Sequence, residues 1–102
     1  MLNLLVLRCK NIENTKEFYE KHLGFKFVLE QHGSSPLHYS TTICSNDNTM
    51  VLELYPVKMN SEPDQTRLGF NLNQLNETSY QVIKDPDGRS VELHFNFVKK
   101  VA

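Results

Sequence analysis

Only two cysteines occur among the 102 residues, Cys9 and Cys44. They lack the close spacing of a zinc or redox pair, and two are too few for a disulfide scaffold. Either could be a nucleophile, but a lone Cys inside an apolar segment far more often serves as small core filling. No apolar run approaches the roughly 20 residues that span a bilayer, so no membrane partner is expected. An excess of positive charge is also missing: 11 Lys and Arg stand against 12 Asp and Glu, for a net charge of −1 and a pI near 6.4. That excludes a dedicated nucleic-acid binder, which needs a basic face to neutralise phosphates. The one basic cluster, Lys99-Lys100, reads as a solubilising tail. Residues 1–7 carry no basic region and no small-residue cleavage site, so no signal peptide is expected and the cytoplasm is the default compartment. The sequon Asn76-Glu77-Thr78 has no meaning there.

What remains is an ordinary globular composition, 39% hydrophobic and 23% charged, in a chain of 11.9 kDa. This is one small domain with one modest core. Residues 2–9 read as a strand that is apolar on both faces. Asn14 is the expected N-cap of a helix running to Leu23, with Glu17 completing a capping box. Phe18, Tyr19, His22 and Leu23 share one face of that helix, and Gly24 suits its left-handed exit. Strands follow at 26–31, 37–44 and 49–55, with a loop at 32–36 and a turn at 45–48.

A linker at 56–65 holds two prolines and shows no periodicity. Residues 66–72 alternate, with Leu68, Phe70 and Leu72 on one side and Arg67, Gly69 and Asn71 on the other. A polar connection at 73–78 leads to a strand at 79–84. The run Asp85-Pro86-Asp87-Gly88 is a strong turn signal. Residues 90–97 alternate most cleanly, with Val91, Leu93, Phe95 and Phe97 opposite Ser90, Glu92, His94 and Asn96.

The two halves look like unequal copies of one unit. Residues 2–55 form a complete β-α-β-β-β unit of 54 residues, whereas 66–97 span 32. The shortfall equals about one short helix, one strand and two loops. Both copies end alike, Val51-Leu52-Glu53-Leu54 and Ser90-Val91-Glu92-Leu93, each with a glutamate in mid-strand. Glu53 shares its face with Tyr55, Glu92 with His94, and Arg67 opens the second unit's polar face. Either these faces are simply solvated or they converge as a cleft holding two carboxylates, a guanidinium and an imidazole.

These features resemble the vicinal oxygen chelate superfamily of glyoxalase I, bleomycin-resistance proteins and extradiol dioxygenases. The residues that carry the resemblance are Asn11-Ile12-Glu13-Asn14 with Phe18-Tyr19, Leu23-Gly24-Phe25, Leu52-Glu53-Leu54, and Asp85-Pro86-Asp87-Gly88 with Val91-Glu92-Leu93. The resemblance implies an α+β fold of paired βαβββ units around a deep cleft, here with the second unit short of its helix and one strand. It also implies, for metal-dependent members, four ligands: one from the first strand of each unit and one from the last. Glu53 and Glu92 stand at the last-strand positions, but Leu4 and Arg67 stand at the first-strand ones, and neither has a lone pair to offer. No metal ligand set and no cofactor are therefore predicted, and Arg67 is expected in the metal's place between the two carboxylates. A divalent metal held by Glu92 and His94 with a further donor such as His38 is the less favoured arrangement.

The expected function is binding of a small organic molecule. Glu53 and Glu92 are the candidate catalytic carboxylates, and Arg67, His94, Tyr55, Arg8 and Tyr39 the candidate ligand-binding residues. The alternatives are an active lyase, isomerase or dioxygenase of the same superfamily, and a non-catalytic dimeric interaction module. The apolar face of the second unit, left without a helix of its own, must be covered by the first helix, the C-terminal segment or another subunit, and a homodimer with this face at least partly in the interface is expected.

Overall fold

The computed structural model describes residues 2–45 and 48–97. Asn46 and Asp47 of the expected turn, and the Lys99-Lys100 tail, lie outside the described residues. The chain divides into two compact units, Met1–Asp64 and Gln65–Ala102.

In the first unit the order is β1 (Leu4–Cys9), α1 (Ile12–Leu23), β2 (Val28–Glu30), β3 (His38–Ser45) and β4 (Asn48–Pro56). The four strands form one sheet in the order β1-β4-β3-β2, with β1 parallel to β4 and the other pairs antiparallel. One face of this sheet carries Leu7 and Cys9 from β1, Leu52 and Leu54 from β4, and Tyr39 and Thr41 from β3. All six are buried, as are Tyr19 and Leu23 of α1, which packs over β3 and β4. Cys9 is thus core filling, whereas Cys44 is exposed.

The helix begins earlier than the capping pattern suggests. Asn11 is the N-cap: its backbone is extended (φ −139°, ψ 105°), and its side-chain oxygen accepts the Asn14 N–H at 3.0 Å. Asn14 is therefore already inside the first turn. Strand β1 ends at Cys9, so only two residues separate it from the helix, and the earlier Asn takes the cap. The exit is as expected: Gly24 adopts φ 76° and donates to the Glu20 carbonyl at 3.1 Å. Beyond β4, Val57 donates to the Cys9 carbonyl at 3.0 Å and the Asp64 carboxylate accepts the Arg8 N–H at 2.7 Å. These bonds tie residues 57–64 along β1.

In the second unit β5 (Leu68–Asn76), β6 (Tyr80–Lys84) and β7 (Ser90–Phe97) form a sheet in the order β5-β7-β6, with β5 parallel to β7 and β6 antiparallel to it. This is the first unit's sheet without α1 and β2, which is the shortened glyoxalase-type α+β unit expected. Strand β5 runs four residues beyond the expected 72, and its register against β7 shifts between Asn71 and Leu75. The irregularity leaves Leu75 opposite Asn96 and exposed.

Leu68, Val91 and Leu93 are buried within the single chain, and Phe70, Leu72 and Phe95 are partly so.

Between β6 and β7, Gly88 (φ 86°) donates to the Asp85 carbonyl at 2.9 Å, and Asp85 donates to the Arg89 carbonyl at 3.0 Å. One Asp85 carboxylate oxygen accepts the N–H groups of Asp87 and Arg89; the other accepts the Arg89 guanidinium at 2.9 Å. The same guanidinium nitrogen reaches Asp87 at 3.0 Å. Arg89 is wholly buried. The turn motif is thus built around an internal ion pair.

Candidate functional site

In the first unit, alternation along the strands sends Arg8, His38, Glu53 and Tyr55 to the sheet face opposite α1. His38 opposes Glu30 across β2 and β3. Its ring is fully buried, and Nδ1 lies 3.1 Å from the Pro36 carbonyl. A carbonyl can only accept, so Nδ1 carries a hydrogen and Nε2 faces inward. Around Nε2 stand Glu53 Oε2 at 3.4 Å, Glu30 Oε2 at 3.5 Å and the Tyr55 hydroxyl at 3.3 Å.

The Tyr55 ring lies flat on His38, with centroids 4.0 Å apart and planes 11° from parallel. The Arg8 guanidinium sits 5.0 Å from the Tyr55 centroid, and the His32 ring is 5.0 Å from that of His38. Arg8, Tyr55, His38 and His32 thus form one column of cation and rings, edged by Glu30 and Glu53. Glu30, His32, His38 and Glu53 each offer a ligand atom, all within 4.8 Å of one another, so this cluster could hold a metal ion.

The second unit carries a separate polar stripe. Arg67 Nε donates to Glu92 Oε2 at 2.6 Å, and a second guanidinium nitrogen contacts the same oxygen. His94 Nε2 lies 3.3 Å from Glu92 Oε1, and Tyr80 stacks on His94 at 5.8 Å. Gly69 lies opposite Glu92 in the register, and a methyl group there would meet Glu92 and His94 at 3.9 Å, in ordinary contact. The Arg67 side chain is 71% exposed. A shallow hollow of about 520 Å³ is lined by Leu75, Asn76, Glu77 and Thr78, and none of the expected site residues borders it.

The structure therefore gathers Arg8, Glu53 and Tyr55 in one unit, and Arg67, Glu92 and His94 in the other. Tyr39 joins neither group. It pairs with Leu54 on the α1 side of the sheet, where its hydroxyl donates to Glu13 at 2.5 Å and Lys16 lies over its ring. The Glu13 hydrogen bond, then burial, then the charges of Glu13, Glu20 and Glu17 raise the Tyr39 phenol above its ordinary 10.0. Arg67 does meet Glu92, while the nearest ionic partner of Glu53 in its own unit is His38.

His38, Glu30 and His32 are the residues that the strand-ending glutamates did not reveal as a group. The usable signal was two His and a Glu flanking a single short hairpin loop. Leu4 has no donor, Arg67 is engaged with Glu92, and the first-strand residues registered directly against the two glutamates are Val6 and Gly69.

The family model of the Glyoxalase/Bleomycin resistance protein/Dioxygenase superfamily matches residues 1–79. Among solved structures, the chain is similar to TnmS3, an antibiotic binding protein from Streptomyces sp. CB03234. That match has 15% identity and TM-score 0.60, and covers 93% of this chain and 94% of that one. It is similar also to a possible glyoxalase from Bacillus cereus, at 18% identity and TM-score 0.59, covering 92% and 97%. A third is lactoylglutathione lyase from Agrobacterium tumefaciens, at 16% identity and TM-score 0.55, covering 93% and 92%. At these identities the likeness is one of fold alone. No curated protein sequence matches the chain. Among the described residues, no helix is long and apolar enough to cross a membrane.

Proposed function

Because the chain belongs to the glyoxalase/bleomycin resistance protein/dioxygenase superfamily, we propose that it binds a small organic molecule without the family's four-ligand metal centre. The observation that carries this reading is the Arg8–Tyr55–His38 column beside Glu53, on a chain whose first-strand metal positions hold Leu4 and Arg67. The part-exposed Tyr55 and the exposed His32, at the outer side of the column, offer aromatic surface, and the adjoining carboxylates offer a counter-charge. A ligand with a planar part and a cationic group matches both. The Arg67, Glu92 and His94 stripe supplies the same kinds of contact in the second unit. The similarity to an antibiotic-binding protein supports the binding of a small organic molecule.

Cytoplasmic residence and a homodimer are part of the proposal. The dimer draws on the part-exposed Phe70, Leu72 and Phe95.

The test is a thermal-shift series on the full chain with planar aromatic cations, uncharged aromatics and aliphatic cations. Planar cations should raise the melting temperature, and Tyr55→Leu should weaken their binding by about 1 kcal/mol, or roughly fivefold. Equal responses to all three classes, or none to any, would remove this reading. Light scattering at micromolar concentration should return the mass of a dimer; a monomer would remove that part.

A further inference from the structure

We propose that Glu30, His32, His38 and Glu53 form a binding site for a zinc-class divalent metal ion, a ligand set that shares only Glu53 with the four positions that metal-dependent relatives use. Three features lead there. The first is the environment of His38. Its Nδ1–H is committed to the Pro36 carbonyl, so in the neutral ring Nε2 presents a lone pair to two carboxylate oxygens, at 3.4 and 3.5 Å. With the ring in that form, three acceptors converge on one point, where His38 is buried and Glu53 only 14% exposed, and a cation between them would satisfy all three. The Tyr55 hydroxyl can give Nε2 one hydrogen but cannot also serve both carboxylates.

The second feature is spacing. Zinc sits about 2.0–2.1 Å from imidazole nitrogen and 2.0–2.2 Å from carboxylate oxygen, so neighbouring ligand atoms of a tetrahedral site are about 3.4 Å apart. The separations found are 3.4 Å for His38 to Glu53, 3.5 Å for His38 to Glu30 and 3.1 Å for His32 to Glu30. Three edges of the ligand polyhedron are already near that length. The third feature is chemistry and support. Two imidazoles with two carboxylates suit a borderline ion such as zinc better than calcium or magnesium, which prefer all-oxygen shells. His38 has the outer-shell arrangement that orients a metal-binding imidazole: the opposite nitrogen donates to a carbonyl, and a ring packs against its face.

The ion would join β2, the loop after it, β3 and β4. It would be shielded on the His38 side and open to solvent on the His32 side, where the side chain is 64% exposed.

The experiment is a titration of chelator-treated full-length protein with zinc alone by calorimetry, paralleled by cobalt(II) absorption. The expected result is one saturable site per chain in the micromolar range or tighter, a higher melting temperature reversed by EDTA, and cobalt bands of tetrahedral intensity. Since His38 is buried and its loss risks unfolding, the decisive variants are the more exposed His32→Ala and Glu30→Gln. Loss of an outer-shell partner costs about 10–100-fold in affinity, so each of these direct ligands should cost at least that much. His22→Ala, on the exposed side of α1, should leave the site unchanged. Failure to saturate at one ion per chain, or unaltered binding in both His32→Ala and Glu30→Gln, would overturn the assignment. His38 and Glu53 also belong to the surface proposed for an organic ligand, so organic-ligand binding is measured on chelator-treated protein, where it succeeds or fails independently of the metal.

Discussion

Replacing Asp85 by alanine would leave the Arg89 guanidinium, wholly buried, with one carboxylate partner fewer, and would strip the acceptor from the N–H groups of Asp87 and Arg89. Breaking a buried ion pair from one side costs about 3–5 kcal/mol. Asp87 still holds Arg89 at 3.0 Å, which places the expected loss at the lower end, about 3 kcal/mol. For a chain of this size that corresponds to a fall of roughly 12–24 °C in melting temperature. Asp85→Asn keeps an acceptor for the two N–H groups and should lose less. Arg67→Ala is the control: its pair with Glu92 is open to water on the Arg side, and exposed pairs contribute about 0–1 kcal/mol. Urea unfolding followed by circular dichroism gives all three numbers, provided the denaturant slope is unchanged. The double variant Asp85→Ala/Arg89→Met should recover part of the loss, because no uncompensated charge remains. If Asp85→Ala costs no more than Arg67→Ala, the motif is not held by its buried pair.

Two further predictions concern acid and alkali. The Phe27 N–H, donated to Glu20 at 3.0 Å, and then Lys16 hold the Glu20 carboxyl below its ordinary 4.5, despite the opposing effect of burial. A depressed folded value stabilises above the unfolded value and is lost as pH falls through the folded one, so the melting temperature of Glu20→Gln should decline less steeply than that of the parent below pH 4.5. Equal slopes would refute it. Tyr39 has the opposite sign: its phenol is raised above 10.0, so its contribution is complete below that pH and fades as pH climbs through the folded value. In an ultraviolet titration Tyr39→Phe should remove a late-ionising phenol and Glu13→Gln should bring it earlier; an unchanged titration in Glu13→Gln would show that the carboxylate is not the cause.

Much of the fold could be read from the chain because its strands state their own faces. Residues 90–97 alternate without exception, and β7 has those bounds. The shortened second half followed from the repeated mid-strand glutamate. The helix start was misplaced because Asn11 and Asn14 are both good caps; the choice was made by where β1 ends, which is a matter of sheet pairing rather than local preference. The end of β5 was missed because its polar residues enter the sheet only through a register shift.

For the site, Glu53 and Glu92 were visible as charges inside apolar strands. Tyr39 was not separable from its neighbours, since the run Leu37-His38-Tyr39-Ser40 does not say which parity faces α1. The meeting of Glu30 with His38 depends on the β2–β3 register, and Arg89 gave no sign that its charge would be buried.

The missing helix and strand also change how far the chain must travel to close each sheet. Leu4 finds Val51 across 47 positions, whereas Leu68 finds Val91 across only 23. Halving a loop saves about 0.6 kcal/mol of closure entropy. The half that gave up a layer of cover gained a shorter search, and its parallel pairing is the more local of the two.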